Sequence, residues 1–375
     1  MDNIKNVSNK IKAGSCMKIL VVAPFSSPIT QRLFKQLKNA GYEVLLASHN
    51  VNESDGVVSL GRLNSFFGYF NFLKINTLVN DFKPDLVHAH VVNHYGMMCI
   101  FQKKPLIVAL WGSDIMLSPN RGNIIKKLIF KTINWLVLKR ATRLHTSGFH
   151  VALEAEKQCS GSFKKTDVFY WGFPLEKPKD NEIENISYRM EKEFGLTGDD
   201  FIVFPRGLGA VYNPKKTAFI IKNLINQNVH IRHKIVVLKG FANKHDEEHF
   251  KSLVDLSSIF YINRLLTSDE LYFLYSKTCI HFSIPLSDSL GGGVVEPALF
   301  GSYPILSDLP SYRKYVEQND GLILHNYDEE GIKVLCQKIS EGHYGKKNKN
   351  IPLDYTLDAV MHNLSETYKK TQVGF

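Results

Sequence analysis

Residues 282–310, FSIPLSDSLGGGVVEPALFGSYPILSDLP, combine two carboxylates, Asp288 and Glu296 with seven residues between them, and three successive glycines, Gly291, Gly292 and Gly293. Glycines at the mouth of a helix let backbone N–H groups approach an anion. The unpaired N–H groups of the first turn together with the helix dipole favour a diphosphate there. Glu296 sits one turn deeper. A carboxylate so placed would repel a phosphate it faced, so its natural ligand is a neutral diol such as a ribose, from which it can accept two hydrogen bonds. The same residues also read as an ordinary glycine-rich loop with a surface aspartate and a glutamate that complements the dipole. The motif by itself leaves both readings open.

A second group of chemistry-bearing residues precedes it. His88, His90 and His94 gather at the end of a strand-like run, and Trp111, Gly112, Ser113 and Asp114 follow the next one. A His-x-His with a third histidine nearby has metal-ligand character, yet at a strand end it reads better as the polar mouth of a crevice, and no metal is expected. Five cysteines, Cys16, Cys99, Cys159, Cys279 and Cys336, form no CxxC pair and are odd in number, against both a disulfide framework and a zinc site. Lysine and arginine exceed aspartate and glutamate by 46 − 36 = 10. This charge favours anionic partners, namely nucleotide phosphates, acidic lipid or nucleic acid, and the absence of zinc-finger, RNP-like or basic-heptad patterns makes nucleic acid the weakest of these.

The elements that must position these residues alternate. Residues 18–23 (KILVVA) are a buried-strand run, followed by a Pro/Ser turn, Pro24 to Pro28 with Ser26 and Ser27 inside it, a helical pattern ending at Gly41 and another strand over 42–47. This β-α-β opening is of doubly wound type, without the GxGxxG of a dinucleotide site. A second series opens at 201–205 and continues through strands at 235–238, 260–262 and 280–284. Residues 123–143 mix aliphatics with Lys126, Lys127, Lys131, Lys139, Arg140 and Arg143, and read equally as a core helix with a basic face or as a helix lying on an anionic membrane. The aromatic run 66–72 (FFGYFNF) presents the same choice. No apolar run approaches the roughly 18 to 20 residues that span a bilayer, and residues 1–16 lack the apolar centre of a secretory signal, so a cytoplasmic protein is expected.

The 282–310 segment resembles the donor-site signature of the family 4 retaining glycosyltransferases of GT-B fold: an acidic residue, seven others, then Glu. Asp288 stands where Glu is commoner, as in a branch with an SDG-type turn, a Glu, a Pro-Ile/Val-x-Ser-Asp-x-Pro run and a following basic residue. Here these are Ser287, Asp288, Glu296, residues 304–310 and Arg313. Arg206 with Tyr212 and Asn213 matches the start of that branch's second domain. The Trp111-Gly-Ser-Asp turn and Trp171-Gly172-Phe173 match its first, with Trp111 in place of a more usual His.

The resemblance implies an α/β protein of GT-B fold, two Rossmann-like doubly wound parallel-sheet domains facing across a cleft. A tail (1–16) would precede an acceptor-binding domain (17–175), a linker with the first helix of the second domain (176–200), a nucleotide-sugar-binding domain (201–352) and a helix crossing back (353–375). It further implies a retaining, metal-independent transferase, without cofactor, that moves a sugar from a nucleotide-diphosphate sugar, a UDP-sugar by preference, to a glycan or lipid-linked glycan of bacterial surface polysaccharide. Arg206 would hold the diphosphate, because a guanidinium makes two parallel bonds to phosphate oxygens and keeps its proton. Lys215, or else Lys216 or Lys239, would assist. Asp288 would hold sugar hydroxyls, Glu296 the ribose, Gly291 to Val294 the phosphates, and Asn263 to Leu265 the base. Ser26, Ser27, His90, Trp111 and Asp114 would line the acceptor side. A nucleotide-sugar epimerase and a non-catalytic nucleotide-sugar-binding protein are the alternatives.

Overall fold

The computed structural model describes residues 17–120, 122–172, 174–325, 328–344 and 352–373. The segment 1–16, read as a tail, and Phe173 of the Trp-Gly-Phe match lie outside these. The chain divides into two compact units, Met1–Phe173 with Leu357–Phe375, and Pro174–Thr356.

The first unit holds a seven-stranded, all-parallel sheet. Its strands are β1 (Lys18–Val22), β2 (Glu43–Ser48), β3 (Val57–Ser59), β4 (Leu86–His90), β5 (Leu106–Ala109), β6 (Arg143–Thr146) and β7 (Thr166–Val168), in the order β3-β2-β1-β4-β5-β6-β7. The second holds β8 (Phe201–Phe204), β9 (Ile235–Leu238), β10 (Phe260–Ile262), β11 (Thr278–Ser283), β12 (Tyr303–Ser307) and β13 (Leu322–Leu324), again all parallel, in the order β10-β9-β8-β11-β12-β13. Parallel sheets carry helices on both faces, so their strands are apolar on both sides. Ile19 to Val22, Phe201 to Val203 and Ile235 to Val237 are accordingly buried. In each unit the winding reverses between two central strands, β1 and β4 or β8 and β11, and such a reversal opens a crevice at the strands' carboxyl ends.

Two sequence expectations shift and one takes its bounds. The helix expected over 123–143 spans Ile124–Arg140, and Arg143 instead opens β6, where its guanidinium takes both oxygens of Asp167 at 2.9 Å. Within 176–200, read as a linker with the first helix of the second domain, the helix is Asp180–Phe194: Asp180 and Glu182 favour its start, and Ile186 and Met190 bury one face. The aromatic run 66–72 forms a short 3-10 turn (Phe66–Phe70) before the Phe72–Phe82 helix, with Phe70 and Leu73 exposed. The closing helix Leu357–Val373 packs in the first unit: Tyr42 Oη donates to Ser365 Oγ at 3.2 Å and Thr367 Oγ1 to Asp167 Oδ2 at 3.0 Å. Among the described residues no helix is long and apolar enough to cross a membrane.

Candidate active site

The reversal between β8 and β11 brings together two residues 82 positions apart. Arg206 leaves β8 and Asp288 leaves β11, and Arg206 Nη2 donates to Asp288 Oδ1 at 2.8 Å. The loops that carry them are pinned from both sides. Leu286 N–H donates to Val211 O at 2.8 Å, and Leu208 N–H to Lys239 O at 3.0 Å. Gly207, with φ of +76°, would place a Cβ 2.8 Å from Lys239 O, so only glycine lets the loop after β8 lie against the loop after β9.

The Asp288 carboxylate is fully engaged. Oδ2 also accepts Gly291 N–H at 2.8 Å and Tyr312 Oη–H at 2.7 Å, and Ser311 Oγ donates to the Asp288 carbonyl at 3.0 Å. Tyr312 is completely buried, with Ser283 Oγ 2.9 Å from its hydroxyl. Burial and the neighbouring Asp288 push its pKa well up, so it remains a donor. Neither Ser311 nor Tyr312 was marked by the sequence. The basic residue that was, Arg313, is exposed and donates through Nη2 to Asp308 at 2.8 Å.

Arg206 lies flat across the glycine turn. A Cβ on Gly291 would come 2.3 Å from Nη1 and one on Gly293 2.4 Å from Cδ, while the Tyr212 ring covers the guanidinium at 4.8 Å. Two of the three glycines are therefore required by the arginine as well as by any anion. Burial works against the charge, but Asp288 outweighs it and the guanidinium's pKa is raised. Its Nε–H is buried and meets no acceptor among the described residues. A buried cationic donor without an acceptor is costly unless a ligand supplies one.

The glycine turn opens the Gly292–Leu299 helix, and Val294 N–H, read as an anion donor, instead donates to Gly291 O at 3.0 Å, which leaves that part to the Gly292 and Gly293 amides. Helical side chains lean toward the helix N-terminus. Glu296 accordingly folds back until a Cβ on Gly292 would lie 3.0 Å from its Oε1, so this buried carboxylate stands at the same mouth as the first-turn amides and Arg206. The lysines are more dispersed. Lys215 is exposed in the first turn of the Pro214–Asn226 helix, and Lys216 lies over Phe219. Lys239, the one behind Gly207, pairs with Glu247 at 2.7 Å and holds that carboxyl down at about 2. Asn263 and Leu265 are exposed at the end of β10, and Arg264 between them is fixed by two bonds each to Glu193 and Glu270.

In the first unit the candidates fall at the other reversal. Ser26 is exposed after β1, and Ser27 precedes the Pro28–Asn39 helix. His90 ends β4 and accepts a hydrogen bond from Trp111 Nε1 at 3.3 Å. The chain leaves β4 through Val91 at φ +64°, a strained value for a β-branched residue. Asp114 braces that turn from inside: Oδ2 accepts Val92 N–H at 2.8 Å and its carbonyl accepts from Asn93 and Asn134. Only 1% of Asp114 is exposed and none of His90, so both are interior supports of the strand ends. Behind them His88 Nε2 meets His145 Nε2 at 2.9 Å, and His88 Nδ1 meets Tyr368 Oη at 2.9 Å. These rings are used on one another. Neither His145 nor Tyr368 reads as a site residue in sequence, because each sits on an element far from the motif.

Residues 18–148 match the family model described as "Glycosyl transferase 4-like". No curated protein matches the chain in sequence. Solved structures do resemble it. A sucrose-phosphate synthase from Thermosynechococcus elongatus is 11% identical, with TM-score 0.72 over 96% of this chain and 100% of that one. HepE of Anabaena, solved with UDP and glucose, is 14% identical, with TM-score 0.66 over 94% and 99%. A UDP-GlcNAc 2-epimerase from Neisseria meningitidis, bound to UDP-GlcNAc, is 15% identical, with TM-score 0.59 over 94% and 100%. With two parallel-sheet α/β units and neighbours of this kind along nearly its whole length, the chain has the GT-B fold, and its first domain is similar to those of glycosyl transferase 4-like proteins.

Proposed function

We propose that this protein transfers a sugar from a nucleotide diphosphate, UDP by preference, to a hydroxyl of a glycan acceptor, with retention of configuration and without a metal ion. The observation that carries this is the helix mouth, where the Nε–H of Arg206, the Gly292 and Gly293 amides and the Glu296 carboxylate lie together. An anion and a neutral diol held side by side are what a nucleoside diphosphate presents. As the glycosidic bond breaks, negative charge develops on the diphosphate, and Arg206 with the helix amides meets it from fixed positions. The acceptor hydroxyl attacks the face from which the nucleotide departs. The Asp288 oxygens already accept from Arg206, Gly291 and Tyr312, so in this reading Asp288 aligns the guanidinium and the turn rather than serving chiefly the sugar hydroxyls.

The similarity of the first domain to glycosyl transferase 4-like proteins and the neighbours solved with UDP or a UDP-sugar support this reading. The epimerase neighbour favours a second one, in which a UDP-sugar is isomerised with no acceptor. Product analysis separates the two: transfer releases UDP in proportion to glycosylated acceptor, and epimerisation leaves the nucleotide sugar intact.

Glu296→Gln removes a charged acceptor worth about 1.5–3 kcal/mol. Calorimetric titration with UDP should therefore show affinity lower by roughly ten- to a hundredfold, with transfer nearly lost; an unchanged affinity in the folded variant removes Glu296 from the ribose. Transfer should also proceed undiminished in EDTA, and a loss restored by a divalent cation would overturn the metal-free scheme.

A further inference from the structure

The Ile124–Arg140 helix leaves most of its apolar side chains in solvent. Ile124, Ile125, Leu128, Ile129, Trp135 and Leu136 are exposed, Ile124 by 83% and Leu128 by 66%, while Ile133, Asn134, Val137 and Leu138 are buried. At about 100° per residue the six exposed side chains fall within about 140° of arc, opposite the buried four, and the 17-residue helix carries this stripe for about 25 Å. Lys131 and Arg140 border the stripe and Lys139 lies within it, 4.7 Å over the Trp135 ring. The helix has five basic residues and no acidic one.

A second exposed apolar group is tied to the end of the helix. Arg140 Nη2 holds the carbonyls of Gln102 at 2.6 Å and Lys104 at 3.0 Å. Beside Gln102, Phe101 is 63% exposed and meets Phe72 edge-on at 4.7 Å, and Leu73 next to it is 79% exposed. The two stretches that read as separate candidates in sequence, 66–72 and 123–143, are thus linked through Arg140 and the Phe101–Phe72 pair.

From this we infer that this surface docks on an anionic lipid bilayer, and that the acceptor is accordingly a lipid-linked glycan. Monomeric proteins rarely expose a contiguous apolar area of this extent. A helix lying in the interface buries such a stripe among acyl chains while its lysines reach the headgroup phosphates. A second copy of the chain is a poorer occupant, since two such helices face to face would oppose five positive charges each. The acceptor part of the inference rests on the transferase reading; the docking part does not.

Co-sedimentation of the full chain with vesicles tests it. Binding is expected to phosphatidylglycerol–phosphatidylcholine vesicles and not to pure phosphatidylcholine, and to fall as salt rises from about 0.1 M to about 1 M, where the screening length shrinks from about 10 to about 3 Å. Changing Lys126, Lys127 and Lys131 to Glu should lower the partition coefficient by roughly a hundredfold or more. Leu128→Ser with Ile125→Ser should lower it independently, and Trp135 emission should shift to the blue on binding. UDP affinity should be unchanged in all of these variants, which separates loss of docking from loss of the nucleotide site. The inference is overturned by no binding at low salt, by equal binding to neutral vesicles, or by lipid-free dimerisation that Leu128→Ser abolishes.

Discussion

Arg206→Lys is expected to lower kcat/KM for transfer by roughly a hundred- to a thousandfold and UDP affinity by at least tenfold, although the charge is kept. The guanidinium acts here as a plane. One edge is committed to Asp288 through Nη2, one face to Tyr212, and the Nε–H is left for a ligand. An ammonium can satisfy Asp288 or a phosphate oxygen but cannot span both as a fork. Lysine is the informative replacement, because alanine would strip Asp288 of its cationic partner and so confound a loss of binding with a loss of stability. Gly293→Ala is a second arm of the same test. Its methyl would occupy the place 2.4 Å from Arg206 Cδ, so the arginine must shift although neither charge nor donor is removed. A similar loss of UDP affinity is expected with Tm little changed. If Arg206→Lys retains most activity at the same donor affinity, Arg206 does not hold the diphosphate.

How much of this was legible beforehand follows from the kind of signal each residue leaves. Local patterns carried the alternating architecture. KILVV, FIVF and IVVL are strands that a parallel sheet buries on both faces, and their carboxyl ends mark where the candidate residues fall. The glycine–carboxylate spacing marked the Gly292–Leu299 helix mouth. No local pattern assigns the glycines to their neighbours, since the space at Gly291 and Gly293 is taken by a side chain from residue 206. Tyr312 and Ser311 escaped for the same reason: a buried tyrosine at the start of a helix carries no period or spacing that separates it from core, and only the return of the chain through β12 places it on Asp288. The exposed stripe of the Ile124–Arg140 helix was ambiguous because periodicity locates apolar faces without saying which one meets the core. Ile133, Val137 and Leu138 face inward, and the longer apolar arc faces out.

The other large effect expected is loss of stability on mild acidification. His88, His90 and His145 are buried with one another, with Tyr368 and Trp111 as their hydrogen-bonding neighbours. Burial first, and the adjacent rings second, lower the pKa of His90 to about 3 and that of His88 well below 6.5, and burial lowers His145 to about 4 against the pull of Asp167. In the unfolded chain each returns to about 6.5. Between those limits the unfolded state binds more protons than the native state, so stability falls as pH falls below about 6.5, by up to about 1.4 kcal/mol per pH unit for each histidine. At pH 5 the three together remove roughly 4–6 kcal/mol, comparable with the whole stability of an ordinary domain. His94, lowered to about 4 by burial, adds to this, and Asp114, whose carboxyl burial raises, opposes it. Ordinary carboxylates titrate below this window, so a fall between pH 6.5 and 5 reports the histidines. Thermal unfolding of the full chain should show Tm dropping steeply across that interval, with a shallower slope in His145→Gln. A Tm that is flat from pH 7 to 5 would mean that the rings accept protons in the folded state, and the buried neutral cluster would have to be abandoned.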